Sequence, residues 1–535
     1  MTSPYGDERH GPRTQVILSG PPGSGKSSLA RLLATHLGRP HLDLDELVAH
    51  QTGCTPAELI RTRGEAFFRE LEAKALEDAP KEAPVVALGG GALTFDRTRQ
   101  EARHRGPVFG LTMPRELLDL RLATSKEDRP LLDGGALDTL LDTRSSTYRA
   151  VDDVIDGNTP PTDLARLVLD RARELRILVT PVGSTSTRVL VGRNLSIATA
   201  GAVHALRPRR TVLLIEDAKV PKPKRDQIAQ ELSLLPLCRI EVPGGESVKE
   251  WSTLGTILDR AIRAGCGRQS AVLGIGGGAT CDLAALAAAL LGRGAPVVLA
   301  PSTLLAMADA AVGGKCAVNV GGARNLAGTF HPASDVVADL DLLDSLAPDE
   351  RRSGLAEVLK IGIISDPELF ERVAATKTVD AEALFRSITR KAEVVAEDPE
   401  EHGRRKVLNL GHTLAHALEA ASEFSMRHGD AVAIGICAAT RLSTARGWAD
   451  PAVGAKIIGA FESLGLPTHA PRPLLARSLT HLGADKKGDR SGIEVVRIED
   501  LGKVSTLRLD LHDVADLTDY AVGGLHDPVE PRAKS

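Results

Sequence analysis

Short apolar runs that end in glycine recur along the chain, with helical text between them. Gln15–Ser19 (QVILS) is the first such run, and its glycine-rich exit predicts a buried parallel strand. Ser27–Leu37 carries apolar residues at helical spacing. A second strand (HLDLD) is predicted from His41, helix from Thr55 to about Asp78, and a third strand (VVALGGG) from Val85. This alternation is the pattern of a parallel sheet covered by helices. Asp163–Arg176, with Leu, Ala and Arg at helical spacing, closes the first domain. The pattern then restarts with RILVT from Arg176, RTVLLIED from Arg210, SAVLGIGGG from Ser270 and APVVLAP from Ala295. After about Asp341 the strand signals fade, and the text to about Leu464 is mainly amphipathic helix. The expected organisation is a disordered leader over 1–13, a parallel-sheet domain over 14–172, an α/β part over 176–340 and an α-helical part over 341–535.

Composition narrows the class. At ~100–200 residues per domain, 535 residues make roughly three units. Aromatic residues are only 3%, so cores must be built from Leu, Val, Ile and Ala, and base-stacking platforms are not expected. The net charge of −4 leaves no basic stripe for a polyanion, so nucleic acid is not an expected partner. The six cysteines form no CxxC pair, which suits a reducing cytosol. MTSPYGDERHGPRTQ has no apolar core and does not read as a secretory signal. The most apolar stretch, Leu283–Leu291, is far shorter than the ~20 residues of a membrane crossing. A cytoplasmic protein without a membrane partner is the expectation.

The first chemical motif is Gly20-Pro-Pro-Gly-Ser-Gly-Lys26-Ser27, which fits GxxxxGK[ST] between a strand and a helix. Its glycines let backbone N–H groups turn inward around phosphates, and the helix N-terminus adds positive dipole. Lys26 can reach the outer phosphates, and Ser27 can ligate magnesium. Asp43 and Asp45 are expected to alternate along a strand end, facing opposite sides. Further along stand Arg69 in GEAFFRELE, the glycines Gly89, Gly90 and Gly91, Arg129 in DRPLL, and Arg144 four residues before Tyr148.

In this order, the motifs over about 14–172 resemble shikimate kinase. The resemblance implies ATP bound by Gly23, Ser24, Gly25, Lys26, Ser27, Ser28 and Arg129, with magnesium at Ser27 and Asp43. It implies shikimate bound by Asp45, Arg69, Gly89, Gly90, Gly91 and Arg144, and catalytic parts for Lys26, Asp45 and Arg129. The chemistry is coherent. A carboxylate substrate suits planar arginine donors, and phosphoryl transfer is mostly positioning and charge neutralisation.

The later part carries two clusters. Gly274-Ile-Gly-Gly-Gly278 follows a predicted strand, and Asp282 opens the next helix, as a dinucleotide turn would require. Glu357 lies in GLAEVLKIG, His412 and His416 in NLGHTLAHALE, and His428 in MRHGD. A glutamate with histidines suits a zinc site with an open position. Helical spacing alone pairs His412 with His416.

The text over about 176–535 looks like 3-dehydroquinate synthase, through GGE…K, GGGATCD, LGRGAP, PSTLLAMADAAVGGK, GLAEVLK and RKVLNLGHTLAHALE. The resemblance replaces the His412–His416 pairing with a metal set of Glu357, His412 and His428, binding zinc, with cobalt as a substitute. It implies NAD at Asp217, Glu246, Lys249, Gly277, Gly278, Asp282, Ser302 and Thr303. It implies substrate contacts from Arg293, Asp309, Lys315, Asn325, Lys360, Lys391, Arg405, Asn409, His416 and Lys486. Catalytic parts fall to Lys315, Lys360, Lys391, Arg405 and His416. The chain departs from the family in ADAAVGGKC and in Arg324, where the family has lysine. The implied fold is a P-loop kinase, then a Rossmann-like α/β domain and an α-helical metal-binding domain. The implied reactions are phosphorylation of shikimate and conversion of a heptulosonate phosphate to 3-dehydroquinate plus phosphate. A cyclitol-forming cyclase is the alternative for the second half, and the family leaves room for a homodimer through it.

Overall fold

The structure, a computed structural model, describes residues 15–81, 85–125, 128–321, 323–484, 493–509 and 518–522. Two compact units emerge. The first takes the described residues up to Val179, then Thr187–Ala300 and Cys316–Asp341; the second takes Thr180–Ser186, Pro301–Lys315 and the described residues from Leu342.

The first unit opens with five strands: β1 (Val16–Ser19), β2 (His41–Asp43), β3 (Val85–Ala87), β4 (Val108–Thr112) and β5 (Asp153–Asp156). They form one parallel sheet in the order β2-β3-β1-β4-β5. β1 lies centrally, with Ile17 paired to both Val86 and Val108. Both faces of β1 are covered, which is why Val16–Leu18 is continuously apolar and the whole strand is buried. The helix Lys26–Leu37 buries Leu29, Ala30, Leu33 and Ala34 along one stripe and stops at Gly38, whose φ is 60°. Truncating Leu33 there would cost roughly 2–5 kcal/mol.

Two local expectations change. β2 ends at Asp43, whose carboxylate caps a helix over Leu44–Thr52, so Asp45 lies in a helical first turn rather than on a strand. The helical text from Thr55 to Asp78 is two helices, Pro56–Arg63 and Glu65–Asp78, parted at Gly64 with φ 87°. A Thr55–Glu58 capping box starts the first of them.

Nine more strands follow: β6 (Arg176–Val182), β7 (Thr185–Gly192), β8 (Val212–Asp217), β9 (Leu237–Val242), β10 (Val272–Gly276), β11 (Val297–Pro301), β12 (Lys315–Val320), β13 (Ala323–Phe330) and β14 (Asp335–Asp339). Seven of them form a sheet ordered β6-β7-β14-β11-β10-β8-β9, while β12 pairs with β13. Helix Gly278–Leu290 packs so closely on β10 that a Cβ at Gly274 would lie 2.5 Å from the Ala284 methyl. Glycine there sets the helix–strand distance.

The five-stranded and seven-stranded parts are joined tightly. Only Leu175 separates helix Pro161–Glu174 from β6. A buried four-charge cluster crosses the joint. Arg188 on β7 donates to both carboxylate oxygens of Asp152, at 3.0 and 2.6 Å. Arg103, on helix Asp96–Arg105, donates to Asp335 on β14 at 2.6 Å. Asp152 also accepts from the Val108 amide at 2.8 Å.

The second unit is mainly helical, with Pro348–Ser365, Ala381–Glu397, His412–Ala421 and His428–Ala445 at its centre. It also contains an antiparallel pair, β15 (Ile493–Asp500) and β16 (Lys503–Leu509), within the stretch expected to be helical. The amide of Ile498 bonds to Ser443 Oγ at 3.1 Å and ties the pair to the helix His428–Ala445.

Candidate active sites

The phosphate loop is built by glycine conformations. Gly23 and Gly25 take φ of 80° and 96°, the left-handed region that other residues avoid. Gly25 precedes the helix that starts at Lys26. Lys26 is buried and folds over the loop, donating to the carbonyls of Gly20 and Pro21 at 2.9 and 3.0 Å. Ser24 Oγ is buried inside the loop without a hydrogen-bond partner. Ser27 and Ser28 occupy the helix's first turn, half-buried and exposed. Asp43 Oδ1 accepts from the amides of Asp45 and Glu46 at 3.1 and 3.4 Å.

Beside this loop the glycine triple forms a cradle. A Cβ on Gly91 would collide with the guanidinium groups of both Arg69 and Arg144, and one on Gly89 with the carboxyls of Asp45 and Glu72. Two cations and two acids therefore face a backbone that only glycine allows. Glu65 Oε1 receives Arg69 at 2.8 Å and Arg144 at 2.9 Å, so one carboxylate aligns both forks. Tyr148 Oη donates to the Gly90 carbonyl at 2.9 Å. Burial pushes Glu72 up to about 7, against the pull of its partner Arg69. Arg129 is half-buried, just before a turn over Pro130–Gly135. Sequence reading missed Glu65 and Glu72, although they sit four residues before and three after Arg69 on one helix, where helical periodicity puts them beside it.

In the seven-stranded part, Asp217 ends β8 and is buried. It accepts from the Gly277 amide at 3.4 Å and from Thr280 Oγ1 at 3.3 Å, at the start of helix Gly278–Leu290. A Cβ on Gly244 would run into its carboxylate. Lys249 is buried and pairs with both Asp282 and Asn325. Glu246 accepts from Asn319 at 2.9 Å, with Arg324 at 3.9 Å. The expected dinucleotide residues Asp217, Glu246, Lys249, Gly277, Gly278 and Asp282 thus share one end of this sheet. Arg293 is exposed after that helix with φ 64°. Ser302 and Thr303 lie in the second unit, directly after β11.

The second unit gathers the remaining residues. Nε2 of His412 and Nε2 of His428 lie 3.5 and 3.4 Å from Glu357 Oε1. One ligand atom from each residue lies within 4.8 Å of the others. Helix Pro348–Ser365 supplies Glu357, and His412 and His428 are each the first residue of a helix. His416 stands nearby, its ring 5.5 Å from that of His412. The remaining ring nitrogens are held from outside: Nδ1 of His412 by the Leu410 carbonyl at 3.2 Å, and Nδ1 of His428 by Glu419 at 3.4 Å. Both imidazoles therefore present Nε2 inward. Neither oxygen of Glu357 accepts a hydrogen bond of good geometry, although the side chain is buried. A buried carboxylate that meets Lys360 through Oε2 and two Nε2 atoms through Oε1 fits a divalent cation. Burial and then Lys360 push His412 down to about 3. Burial also opposes charge on His428, but Glu357 and Glu419 outweigh it and raise it to about 10.

Cations surround this centre. Lys360 is buried 2.5 Å from Glu357 Oε2. Lys391 is buried against Asp309 at 2.7 Å. Glu401 pairs with Lys315 and accepts from Asn409 at 2.6 Å. Arg405 donates to the carbonyls of Pro399 at 2.6 Å and Gly313 at 3.4 Å. Asp309, Lys315, Lys360, Lys391, Arg405, Asn409 and His416 thus all belong to the second unit, whereas Arg293 and Asn325 belong to the first. Lys486 lies outside the described residues. Glu401 was not foreseen; its sequence neighbourhood, DPEEHGRRK, is simply a charged loop.

A P-loop phosphotransferase fold, a glycine-turn α/β part and a helical part with a three-ligand metal-competent centre define a two-enzyme chain. Residues 22–172 match the family described as shikimate kinase; residues 239–353 and 354–488 match 3-dehydroquinate synthase, N-terminal and C-terminal. The 3-dehydroquinate synthase of Methylococcus capsulatus is 36% identical over 341 residues, covering 62% of this chain and 95% of the relative. A 2-epi-5-epi-valiolone synthase from Streptomyces hygroscopicus subsp. jinggangensis, solved with NAD+ and Zn2+, is 26% identical with TM-score 0.55, covering 64% of this chain and 99% of its own. Shikimate kinase from Acinetobacter baumannii, solved with shikimate, is 34% identical over 30% of this chain and 92% of its own, with TM-score 0.28. The chain belongs to the 3-dehydroquinate synthase family and carries a shikimate kinase domain ahead of it.

Proposed function

We propose that the chain phosphorylates shikimate with ATP to shikimate 3-phosphate, and converts 3-deoxy-D-arabino-heptulosonate 7-phosphate to 3-dehydroquinate and phosphate. The kinase reading is carried by Arg69 and Arg144 converging on Gly91 beside Asp45. These forks suit the substrate carboxylate, and Asp45 suits its hydroxyls. Lys26 and the loop amides neutralise the transferred phosphoryl group, with magnesium at Ser27 and Asp43. Arg129 adds positive charge at the same phosphate.

The synthase reading is carried by Glu357, His412 and His428 converging beside Lys360. Bound there, zinc or cobalt would polarise the substrate alcohol, and NAD held near Asp217, Lys249 and Asp282 would accept and return its hydride. Lys360, Lys391 and Arg405 bind and orient the acid phosphate. His416, whose ring lies 5.5 Å from that of His412, would hold a proton for the alcohol. The kinase, dinucleotide and metal functions are assigned to 14–172, 176–340 and 341–535.

Purified protein given each substrate separately tests both halves. Shikimate-dependent ADP release should vanish in Lys26→Ala while heptulosonate turnover persists. Transition-metal chelation followed by restored magnesium should do the reverse. Accumulating NADH would mark a dehydrogenase instead, and turnover of a sugar phosphate lacking the carboxylate would mark a cyclitol former.

A further inference from the structure

The kinase cradle depends on one turn of helix, Ser145–Tyr148. Arg144 precedes it and Tyr148 ends it, and both donate to the Gly90 carbonyl, at 3.4 and 2.9 Å. A single turn has no cooperative stability of its own, so neighbouring contacts must set its orientation. Some of those contacts come from the kinase itself, through Glu65 and Gly90, and others come from the synthase half. Helix Ser196–Ala205 lies directly on the kinase: a Cβ at Gly201 would run into the Val151 backbone. Three residues on, buried His204 reaches the turn, with Nδ1 3.0 Å from Ser146 Oγ and Nε2 3.2 Å from the Glu231 carbonyl. A carbonyl can only accept, so Nε2 carries the hydrogen and Nδ1 accepts from the Ser146 hydroxyl. Burial also holds His204 below its ordinary pKa, in keeping with that neutral tautomer. Arg149, just past the turn, reaches Glu231 at 3.3 Å.

Resting on the kinase reading above, we propose that His204, supplied by the synthase half, is a positioning residue for the kinase: by holding Ser146 it fixes the turn that aims Arg144 and Tyr148 at the acid substrate. His204 does not touch the substrate and acts only through that turn. Lys26, Ser27 and Ser28 of the phosphate loop take no part in these contacts, so nucleotide binding should feel its loss far less than shikimate binding does.

Kinase kinetics of the full-length chain test this. His204→Leu should raise the shikimate KM on the order of fivefold, the effect of losing about one hydrogen bond, with kcat and the MgATP KM within about twofold. Ser146→Ala should give the same rise from the kinase side, and it removes only a half-buried hydroxyl if His204→Leu folds poorly. The double variant should be no worse than either single one, because both remove one interaction. His204→Asn, whose carboxamide oxygen can replace Nδ1 as acceptor, should recover most of the loss. An unchanged shikimate KM in Ser146→Ala, or an equal loss in kcat and MgATP KM, overturns the proposal while the kinase reading stands. A wild-type chain that neither turns over nor binds shikimate overturns that reading, and the proposal falls with it.

Discussion

The carboxylate of Glu419 stands 3.4 Å from Nδ1 of His428. It is buried on the helix His412–Ala421, two residues before that helix ends. A carboxylate behind an imidazole fixes the tautomer and raises the basicity of the inward nitrogen. Glu419→Gln should therefore weaken metal binding by about 10–100-fold. Competition against a chromophoric chelator measures this without reference to turnover. Unaltered affinity would show that Glu419 serves packing alone.

Arg69 and Arg144 share Glu65, so their forks are set as a pair. Arg144→Lys keeps the charge but loses the planar fork. The shikimate KM should rise by roughly one order of magnitude, while the MgATP KM stays put. Equal rises in both constants would mean that Arg144 supports the whole domain rather than the acid.

Much of this was legible in the sequence for a definite reason. β1, β3, β8, β10 and β11 are buried on both faces and end in Gly or Pro turns or acidic ends, so their runs stand out from the helical text. Asp45 was misplaced because a capping carboxylate ends β2 two residues earlier than the alternation suggests. Gly64 looked like an ordinary helical glycine until its φ of 87° marked a break. The spacing of His412 and His416 says only that they share a helix face. Their relation to His428 and Glu357 is tertiary, and only the family resemblance pointed to it. Nothing local announces that Arg103 meets Asp335 or that His204 meets Ser146.

Glu72 gives the kinase a pH signature. Its folded pKa, raised to about 7 by burial, lies above the ordinary carboxyl value of about 4.3. The sign follows from proton uptake on folding. The contribution is fully present below about pH 4.3 and is lost as pH rises through about 7. Wild type should lose on the order of 3 kcal/mol across that window relative to Glu72→Gln. Urea denaturation at stepped pH measures the difference. Parallel profiles would show that Glu72 is already ionised in the folded protein at low pH.

The four-charge cluster makes the kinase and dinucleotide parts answer to one change. Arg188 is 3% exposed and donates twice to Asp152, which is itself buried. Arg188→Met would leave Asp152 with the Val108 amide and with Arg103 at 3.7 Å. Such a weakly compensated buried charge costs roughly 3–5 kcal/mol. The cost cannot stay on one side, because Asp152 leads into β5 of the kinase sheet while Arg188 belongs to β7 of the other. Hydrogen exchange should therefore show β1 and β14 losing protection together, by similar factors. Protection lost in β14 alone would mean that the two sheets unfold independently and that the joint is a surface contact. Joint loss would establish that the kinase sheet and the dinucleotide sheet share one folding unit, with the charge cluster at its seam.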